Sequence, residues 1–459
     1  MIATQLHLDD IQGDILRAYG NDYDCTSYVF VRVAGTPAQG RTWLAGLLAG
    51  VTPASPWTSG KPPTTLNVAL TAGGLAALGV PADTLATFSH EFRAGMAARA
   101  EGVLGDSGPS APSAWEPGFG DAHALLVSNA RTPEEQEAAL AALRAEIEAA
   151  DGVEIATEQH AQLLPGAREH FGFADGFAQP AVMGSSEERA RGGGTPERGG
   201  RWRALAPGEF ILGHPDEDTL ADRRHRLPAA PADPLGSNGT YMVWRKLHQD
   251  VALWRRTIRA AAKRWEDGDE RRLAAKVVGR WQDGAPLVTH PDDPGSGFDP
   301  AAPGANDFRY GDDLAGMRCP VGAHIRRSNP RDALGNEGKL SMRHRMIRRG
   351  MPYGPPLPEG VRKDDGEERG LVFVSYQASI ARQFEGVQGP WLGDGNIFGL
   401  GHDRDYLLGD ATGGGKMTIQ GRKPFLLAPQ QQLVTTRGGA YLFVPGMTAL
   451  RALAAGEVA

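Results

Sequence analysis

The chain has few cysteines and no long apolar run, and each of these absences excludes a class of protein. Cys25 and Cys319 are the only cysteines among 459 residues, which excludes a disulfide-rich scaffold and a thiolate metal cage. No run reaches the roughly 18 apolar residues of a membrane-spanning helix. The N-terminus lacks a basic segment followed by an apolar one, so we expect no secretory signal. A cytoplasmic location is therefore expected, with export by another route left open.

An excess of positive charge is also missing. The chain has 48 Lys and Arg against 55 Asp and Glu, a net charge of −7 at pH 7. A nucleic-acid-binding protein is expected to carry a basic excess, so no nucleic-acid partner is predicted. The hydrophobic share of 41% is enough for a core, and 61 glycines with 33 prolines indicate many turns and long loops. The sequence carries no signal for the oligomeric state.

The first 165 residues alternate strand and helix patterns. Strand patterns lie at 27–33, 64–71, 122–130 and 153–164. Thr132 at the N-cap, Pro133 at the first helical position and Glu135 two positions later are typical of a helix start with a capping box. The resulting order, roughly β-α-β-β-α-β, is that of a ferredoxin-like domain, in which helices cover one face of an antiparallel sheet.

The second half repeats this theme after a charged, glycine-rich stretch. Its strand patterns lie at 239–247, 370–379 and 438–447, and a helical stripe holds Trp254, Ile258, Ala262 and Trp265. We predict an α+β fold of two ferredoxin-like halves with antiparallel sheets packed together, a dimeric α+β barrel with a cleft for a large ligand. The predicted parts are an N-terminal domain over 1–183, a mobile linker over 184–205 and a C-terminal domain over 206–459. Two polar tracts, 266–320 and 327–370, are long enough to be functional or disordered loops.

The stretch HFGFADGFAQP, residues 170–180, places one acid among aromatic residues. An ionised carboxylate in such surroundings costs free energy unless it is paired, hydrogen-bonded or protonated. Asp175 is therefore either a turn residue in apolar sequence or a carboxylate that moves protons in a dry pocket. The glycines around it would let the backbone approach a flat ligand closely. For His170 the sequence favours simple packing.

The stretch MRCPVGAHIRRSNPRD, residues 317–332, places His324 among small and apolar residues, just before several arginines. An imidazole in such a segment is suited to be an axial ligand of haem iron. The guanidinium groups nearby could then pair with the haem propionates. An isolated histidine more often has an ordinary surface or core role. For Arg326 and Arg327 the favoured interpretation is a solvated basic loop.

The stretch HRMIRRGMPYG, residues 344–354, contains three arginines just before a segment that is expected to form a turn. Because GMPYG forces that turn, Arg345, Arg348 and Arg349 are held at a defined point of the chain. One of them could face inward, toward an anion or a developing negative charge. The alternative, a surface helix that ends in basic residues, is the one that this pattern alone favours.

Taken in order, these stretches resemble the dye-decolourising peroxidases. The similar segments are IQGDIL (11–16), GFADG (172–176, the family's Gly-x-x-Asp-Gly motif), GAHIRRSNPR (322–331, the haem-ligand segment), MIRRGMPYG (346–354, the distal-arginine segment) and GLVFVSYQ (370–377, the strand behind the distal pocket). The resemblance extends from about residue 10 to about residue 450. It is stronger to the longer members, fungal-like or C-type, because Gly350 stands where some short bacterial members have asparagine.

The resemblance implies one haem b per chain, held in the cleft of the C-terminal half with His324 as proximal iron ligand. Asp175 would be the distal acid–base group and Arg348 the distal arginine. The other implied haem contacts are the backbone of Gly176, Phe177 and Ala178, the haem-edge residues Asn329, Pro330 and Arg331, with Arg331 on a propionate, and the distal-pocket residues Leu371 and Phe373. Leu371 and Phe373 would also be ordinary alternate residues on the inner face of a core strand. A carboxylate that accepts a hydrogen bond from the other nitrogen of His324 is expected, but the sequence does not identify it.

The activity implied is the one-electron oxidation of dyes, phenolics and similar aromatic donors with hydrogen peroxide. The partners expected are therefore peroxide and aromatic reductants, with no membrane and no nucleic acid. A haem-binding or haem-handling protein without significant turnover is an alternative, and it would need His324 but not Asp175 or Arg348. In a third reading the chain is a non-haem α+β protein and Asp175 is only a turn acid. Asp175 and Arg348 at matching positions favour the enzyme.

Overall fold

The computed structural model describes residues 6–17, 22–176, 178–185, 192–197, 201–222, 224–293, 297–299, 302, 304–409, 416–428 and 430–458. The strands are β1 (Cys25–Val33), β2 (Thr64–Leu70), β3 (Ala124–Ala130), β4 (Val153–Gln162), β5 (Thr195–Pro196), β6 (Trp202–Arg203), β7 (Thr240–Gln249), β8 (Ile347–Arg348), β9 (Met351–Tyr353), β10 (Gly370–Gln377), β11 (Met417–Ile419), β12 (Phe425–Leu427) and β13 (Val434–Val444).

The α-helices are α1 (Gly13–Leu16), α2 (Pro37–Leu47), α3 (Ala72–Ala77), α4 (Ala82–Ala86), α5 (His90–Ala94), α6 (Met96–Arg99), α7 (Pro133–Ala149), α8 (Glu217–Ala221), α9 (Val251–Ala262), α10 (Glu270–Val278), α11 (His324–Ser328), α12 (Lys339–Met342) and α13 (Met447–Ala455). Wider π-helical turns cover Ala100–Leu104, Ile380–Glu385 and Val387–Gly393. Tighter 3-10 turns cover Gly108–Ser110, Pro112–Ala114, Pro207–Glu209, Gly311–Asp313, Asn336–Gly338 and Asn396–Phe398.

Nine of these strands form one antiparallel sheet in the described part of the chain. Its order is β4-β1-β3-β2-β13-β7-β10-β8, and β9 also pairs with β10. The order β4-β1-β3-β2 is ferredoxin-like, and β13-β7-β10 followed by β8 and β9 repeats it in the second half. The predicted α+β fold of two ferredoxin-like halves is therefore confirmed.

The two halves meet differently at the two ends of their sheets. At one seam, β2 and β13 are joined through a single residue pair, Leu70 with Phe443. At the other, β4 and β9 lie side by side, but no ladder is recorded between them within the described ranges. The sheet thus curls toward the predicted barrel without closing it by hydrogen bonds.

The concave side of this curled sheet is one shared core, so the halves also pack face to face. Trp244 of β7 has its ring 5.9 Å from Tyr28 and 4.8 Å from Phe30, both on β1 of the other half. All three side chains are almost completely buried. On the convex side, helices of each half cover the sheet, and the second half also holds the large cavity described below.

Two local predictions need correction in detail. Thr132 caps α7 by accepting the Glu135 N–H at 3.2 Å, but Glu135 accepts the backbone N–H of Arg131 instead of closing a capping box on Thr132. The predicted helical stripe ends early, because α9 stops at Ala262 and Trp265 lies beyond it.

The long polar tracts contain ordered elements. Residues 266–320 include α10, which begins at the N-cap Asp269 and buries Leu273 in the core of the second half. The described part of the predicted linker includes β5 and β6, which pair with each other. The boundaries of the predicted domains and linker stay predictions. In the ranges that the structure describes, no helix combines the length and apolar character needed to cross a membrane.

Candidate active site

A cavity of about 280 Å³ opens on the convex side of the second half, between the sheet and the segments that cover it. Its floor is formed by alternate residues of β7 and β10. Its walls are formed by residues 169–175 and Ala178, the start of α11, the segment before β8 and the segment around the π-helical turns. Among the predicted site residues, His324, Asp175, Arg348, Ala178, Asn329, Arg331, Leu371 and Phe373 all line it. The fold therefore brings together residues that lie almost 200 positions apart.

His324 is the first residue of α11 and is held by a buried carboxylate. Its Nδ1 lies 3.0 Å from Oδ2 of Asp405, whose side chain is fully buried and whose Oδ1 accepts the N–H groups of Leu407 and Leu408. Because an ionised carboxylate only accepts, Nδ1 of His324 carries a proton, and in the neutral imidazole Nε2 then has a lone pair. The imidazole is thus oriented as a metal ligand would be.

The charges around His324 oppose one another. Burial lowers the pKa of the imidazole, but the Asp405 carboxylate outweighs burial and raises this pKa above its ordinary value. Asp175 adds to that rise and Arg348 counters it, so both groups act electrostatically on His324. Asp405 is the acid that sequence reasoning could not identify. It lies 81 residues after His324, in a glycine- and aspartate-rich stretch where nothing distinguishes it from neighbouring acids.

Arg326 and Arg327 are not part of a solvated loop, so that interpretation was wrong. Both side chains are almost fully buried. Arg326 donates to the Cys319 carbonyl at 2.7 Å and lies over the ring of Tyr310. Arg327 uses Nε, Nη1 and Nη2 on three different backbone carbonyls. These two arginines anchor α11, and therefore His324, to the surrounding segments.

The loop that carries Asp175 is organised by Glu169. The Glu169 carboxylate accepts the N–H groups of Phe171 and Phe173, each at 2.9 Å, and the side-chain amide of Gln249 at 2.6 Å. Burial raises the pKa of Glu169, and these hydrogen bonds counter the rise. The two phenylalanines pack on Trp254 and line the cavity. Glu169 thus holds the segment in a conformation in which the rings of Phe171 and Phe173 form one wall of the cavity.

Asp175 is exposed, rather than surrounded by rings as its sequence context indicates. Its backbone N–H bonds to the Ala167 carbonyl at 3.1 Å, and its Oδ1 accepts the N–H of Gly176 at 2.7 Å. The carboxylate thus bonds to the backbone of the next residue and also lines the cavity, and both interpretations of Asp175, turn acid and proton carrier, stay predictions. His170 is buried, bonds through Nε2 to the Tyr353 carbonyl at 2.8 Å and does not line the cavity.

The arginines of residues 344–354 are not on a surface helix, and Arg348 alone of Arg345, Arg348 and Arg349 lies on a strand. α12 ends at Met342, and Arg348 lies on β8, where it pairs with Ser375 of β10. No hydrogen bond or ion pair of the Arg348 guanidinium is recorded within the described residues. Arg349 turns away from the cavity and donates to the Asp14 carbonyl at 3.2 Å. Of these three arginines, Arg345 and Arg348 line the cavity, and the role of Arg348 stays a prediction.

Four further arginines line the cavity while buried, among them Arg331 and Arg345. Arg331 donates to the carbonyls of Asn306 and Phe308 and stacks on the Phe308 ring, with Cζ 3.7 Å from the centroid. Arg345 is buried beside it, and burial together with Arg331 and Arg348 lowers the pKa of Arg345 to about 9. Within the described residues, neither has a recorded ion pair. Buried cations of this kind are stabilised by an anionic ligand.

The residues present fit a haem. The cavity offers Nε2 of His324 as a ligand, apolar walls, and two arginines, Arg331 and Arg345, that form no ion pair within the described residues and suit propionate groups. Gly176 and Pro330 do not line the cavity, and their contact with haem stays a prediction. Phe177 lies outside the described residues. In the described ranges, no group of three or more His, Cys, Asp or Glu side chains is placed to hold a metal ion directly.

Sequence comparisons point to one family. A family model for the C-terminal part of Dyp-type peroxidases matches residues 216–396. A multifunctional dye peroxidase of Amycolatopsis is 32% identical over 97% of this chain and 96% of its own length. A dye-decolorizing peroxidase of Mycena epipterygia is also 32% identical, over 87% of this chain and 77% of its own.

Solved structures agree with this result. An ancestral D-type dye-decolorizing peroxidase has a TM-score of 0.82 at 28% identity, covering 98% of this chain and 99% of its own. A fungal enzyme from Auricularia auricula-judae has a TM-score of 0.81 at 26% identity, covering 98% of this chain and all of its own. With more than 30% identity to relatives along almost the whole chain, and with their fold, the chain belongs to the family of dye-decolourising peroxidases.

Proposed function

We propose that the chain is a peroxidase with one haem b, which uses hydrogen peroxide to oxidise dyes, phenolics and similar aromatic donors one electron at a time. The observation that carries this proposal is the set of His324, Asp175 and Arg348 on the walls of one cavity, with Nδ1 of His324 fixed by Asp405. Family membership supports the peroxide-dependent reaction, and the names of the relatives support the class of donor.

The roles follow from the chemistry of each side chain. A haem bound in this cavity would supply the oxidising power; His324 Nε2 would hold its iron, and Arg331 and Arg345 would be available to its propionates. Asp175 can accept a proton from one oxygen of hydrogen peroxide and return it to the other, because a carboxylate within hydrogen-bond reach can serve as base and then as acid. Arg348 can donate hydrogen bonds to the oxygen on which negative charge develops as the oxygen–oxygen bond breaks, and its positive charge stabilises that oxygen.

A spectrum tests the cofactor. Purified protein, reconstituted with haem where needed, is expected to show a Soret band, and substitution of His324 by alanine is expected to remove or shift it. Absence of any Soret band after reconstitution would contradict the proposal. A haem-handling protein would give the band without peroxide-dependent dye oxidation, so turnover separates the two functions.

The distal roles are tested by Asp175→Asn and Arg348→Leu. Both are expected to slow peroxide-dependent dye oxidation, with the larger loss from Arg348→Leu, because water can partly replace a proton carrier but not a fixed charge. The measurement is kcat/KM for hydrogen peroxide at a saturating dye concentration. Full rates in both variants would show that the roles are assigned to the wrong residues.

A further inference from the structure

Gln179 connects the two chain segments that hold Asp175 and Arg348. Its Oε1 accepts the backbone N–H of Arg348 at 3.0 Å, across 169 positions of sequence. Its Nε2 donates to the backbone carbonyl of Gly176, the residue after Asp175, at 3.2 Å. One side-chain amide therefore touches the backbone beside both groups.

The chemistry of this bridge is specific. It needs one acceptor and one donor on two different atoms at the tip of the side chain, and the Gln179 amide supplies its oxygen as acceptor and its nitrogen as donor. The bond to the Arg348 N–H also supplies a partner to a strand residue at the end of β8, where the ladder with β10 stops. A second, weaker contact runs in parallel, from Arg345 Nη2 to the Ala178 carbonyl at 3.4 Å. Residues 178 and 179 and the strand β8 thus have defined positions relative to each other.

We propose that Gln179 is a positioning residue that sets the placement of Arg348 relative to Asp175. This inference rests on the proposed function, since it assigns Gln179 an effect on the same reaction. The two groups act on one small substrate, so the separation between their backbones decides whether both reach it. A displacement of about 1 Å in such a pair can lower the rate by as much as roughly 100-fold.

The test compares Gln179→Met with a matched control. Methionine has nearly the same length but forms neither hydrogen bond, whereas Gln179→Glu keeps the acceptor for the Arg348 N–H and loses the donor to Gly176. The control is Gln136→Met, since Gln136 is half-buried on α7 and donates its amide to Ser27 far from the cavity. Each substitution is made in the haem-loaded full chain, alone and combined with Arg348→Leu.

If Gln179 acts through Arg348, Gln179→Met lowers kcat/KM for hydrogen peroxide about tenfold or more alone, but less than twofold in the Arg348→Leu background. Gln179→Glu is expected to lose less than Gln179→Met, and Gln136→Met to change kcat/KM less than twofold in both backgrounds. The inference requires the fold-decrease in kcat/KM caused by Gln179→Met to be at least five times larger in the wild-type background than in the Arg348→Leu background. A smaller ratio overturns it. Should Gln179→Met not fold, the same criterion is applied to Gln179→Leu, which also forms neither hydrogen bond.

A second measurement does not depend on turnover. Hydrogen exchange at the Arg348 amide, followed by mass spectrometry, is expected to be faster in Gln179→Met than in wild type and unchanged in Gln136→Met. Equal exchange at Arg348 in wild type and Gln179→Met would overturn the proposed contact. If the haem-loaded wild type does not oxidise dye, the proposed function fails. If it does and the two backgrounds respond alike, only the role of Gln179 fails.

Discussion

Asp405 decides which nitrogen of His324 faces the cavity. Its carboxylate is buried, and two backbone N–H groups together with the imidazole occupy its oxygens. Burial opposes ionisation of this carboxyl, but the His324 imidazole and these bonds lower its pKa below the ordinary value. The fixed negative charge makes His324 a stronger electron donor and restricts rotation of its ring.

Replacement of Asp405 by asparagine therefore has a defined expected effect. The amide can still accept one hydrogen bond from Nδ1, but it carries no charge, so haem should be held less tightly. We expect the rate of haem loss to a haem-scavenging globin to rise roughly tenfold to 100-fold. The exposed Asp394, changed to asparagine in the same way, serves as control. Equal rates of haem loss in wild type and Asp405→Asn would show that the pair is only structural.

The residues that could be recognised from sequence are those in compact motifs. Asp175, His324 and Arg348 each stand in a short stretch of unusual composition, and the structure places all three in one cavity. Asp405 could not be recognised, because its partner is distant in sequence. The burial of Arg327 could not be recognised either, because a guanidinium that bonds only to backbone carbonyls leaves no complementary acid in the sequence.

At the scale of elements, α11 is a short helix whose position depends on Arg327. The three nitrogens of this guanidinium bond to the carbonyls of Trp391 at 2.8 Å, Asp403 at 3.0 Å and Asp394 at 2.8 Å. These carbonyls belong to the segment that also carries Asp405. The helix that presents His324 and the segment that presents Asp405 are thus held together by one side chain.

Arg327→Lys is expected to destabilise this part of the molecule although the charge is kept. Lysine has a single nitrogen and cannot reach three carbonyls set around a planar fork, so some of them lose their partner. We expect a loss of about 3 kcal/mol in the free energy of unfolding, measured by denaturant titration, together with faster haem loss. The exposed Arg256, changed to lysine, should stay within about 0.5 kcal/mol of wild type. A similar small change for Arg327→Lys would contradict the anchoring role.

Strands were predictable at this scale because alternation and β-branched residues are local signals. The pattern at 370–379 corresponds to β10, which ends at Gln377. By contrast, α10 lies within the polar tract at 266–320 and was not predicted. Its buried face includes the side chain of Lys276, which donates from Nζ to the Arg318 carbonyl. A lysine on a buried face weakens the apolar periodicity on which prediction of a helix depends.

For the whole molecule, the two halves are joined by contacts of the N-terminal segment as well as by the sheet. Asp14 of α1 is buried, and its Oδ2 accepts the hydroxyl of Tyr376 on β10, 362 positions later, at 2.5 Å. Arg349, next to the cavity residue Arg348, donates to the Asp14 carbonyl. Asp14 therefore contacts two residues of the second half, Tyr376 and Arg349, close to the wall of the site.

This junction should make stability depend on pH in a way that Asp14→Asn reveals. Burial raises the pKa of Asp14 from 3.8 to about 6, so its contribution to stability is fully present below pH 3.8 and is lost as pH rises through about 6. His170 acts in the opposite sense, because burial lowers its pKa to about 4 and its contribution is lost as pH falls below its ordinary value. The wild-type curve alone mixes the two effects, whereas the difference between wild type and Asp14→Asn isolates Asp14.

Between pH 4 and pH 7.5, the free energy of unfolding of Asp14→Asn is expected to rise relative to wild type by about 3 kcal/mol, the value of roughly two pKa units. Asparagine cannot ionise, so any packing defect that it introduces adds an offset that does not vary with pH. Denaturant titrations at four or five pH values measure this difference, and Asp24→Asn at an exposed position corrects for the removal of one carboxyl group. Parallel curves for wild type and Asp14→Asn would mean that Asp14 does not change its ionisation on folding. A difference that grows toward neutral pH would show that part of the folding free energy is used to keep a carboxylate at the junction of the two halves.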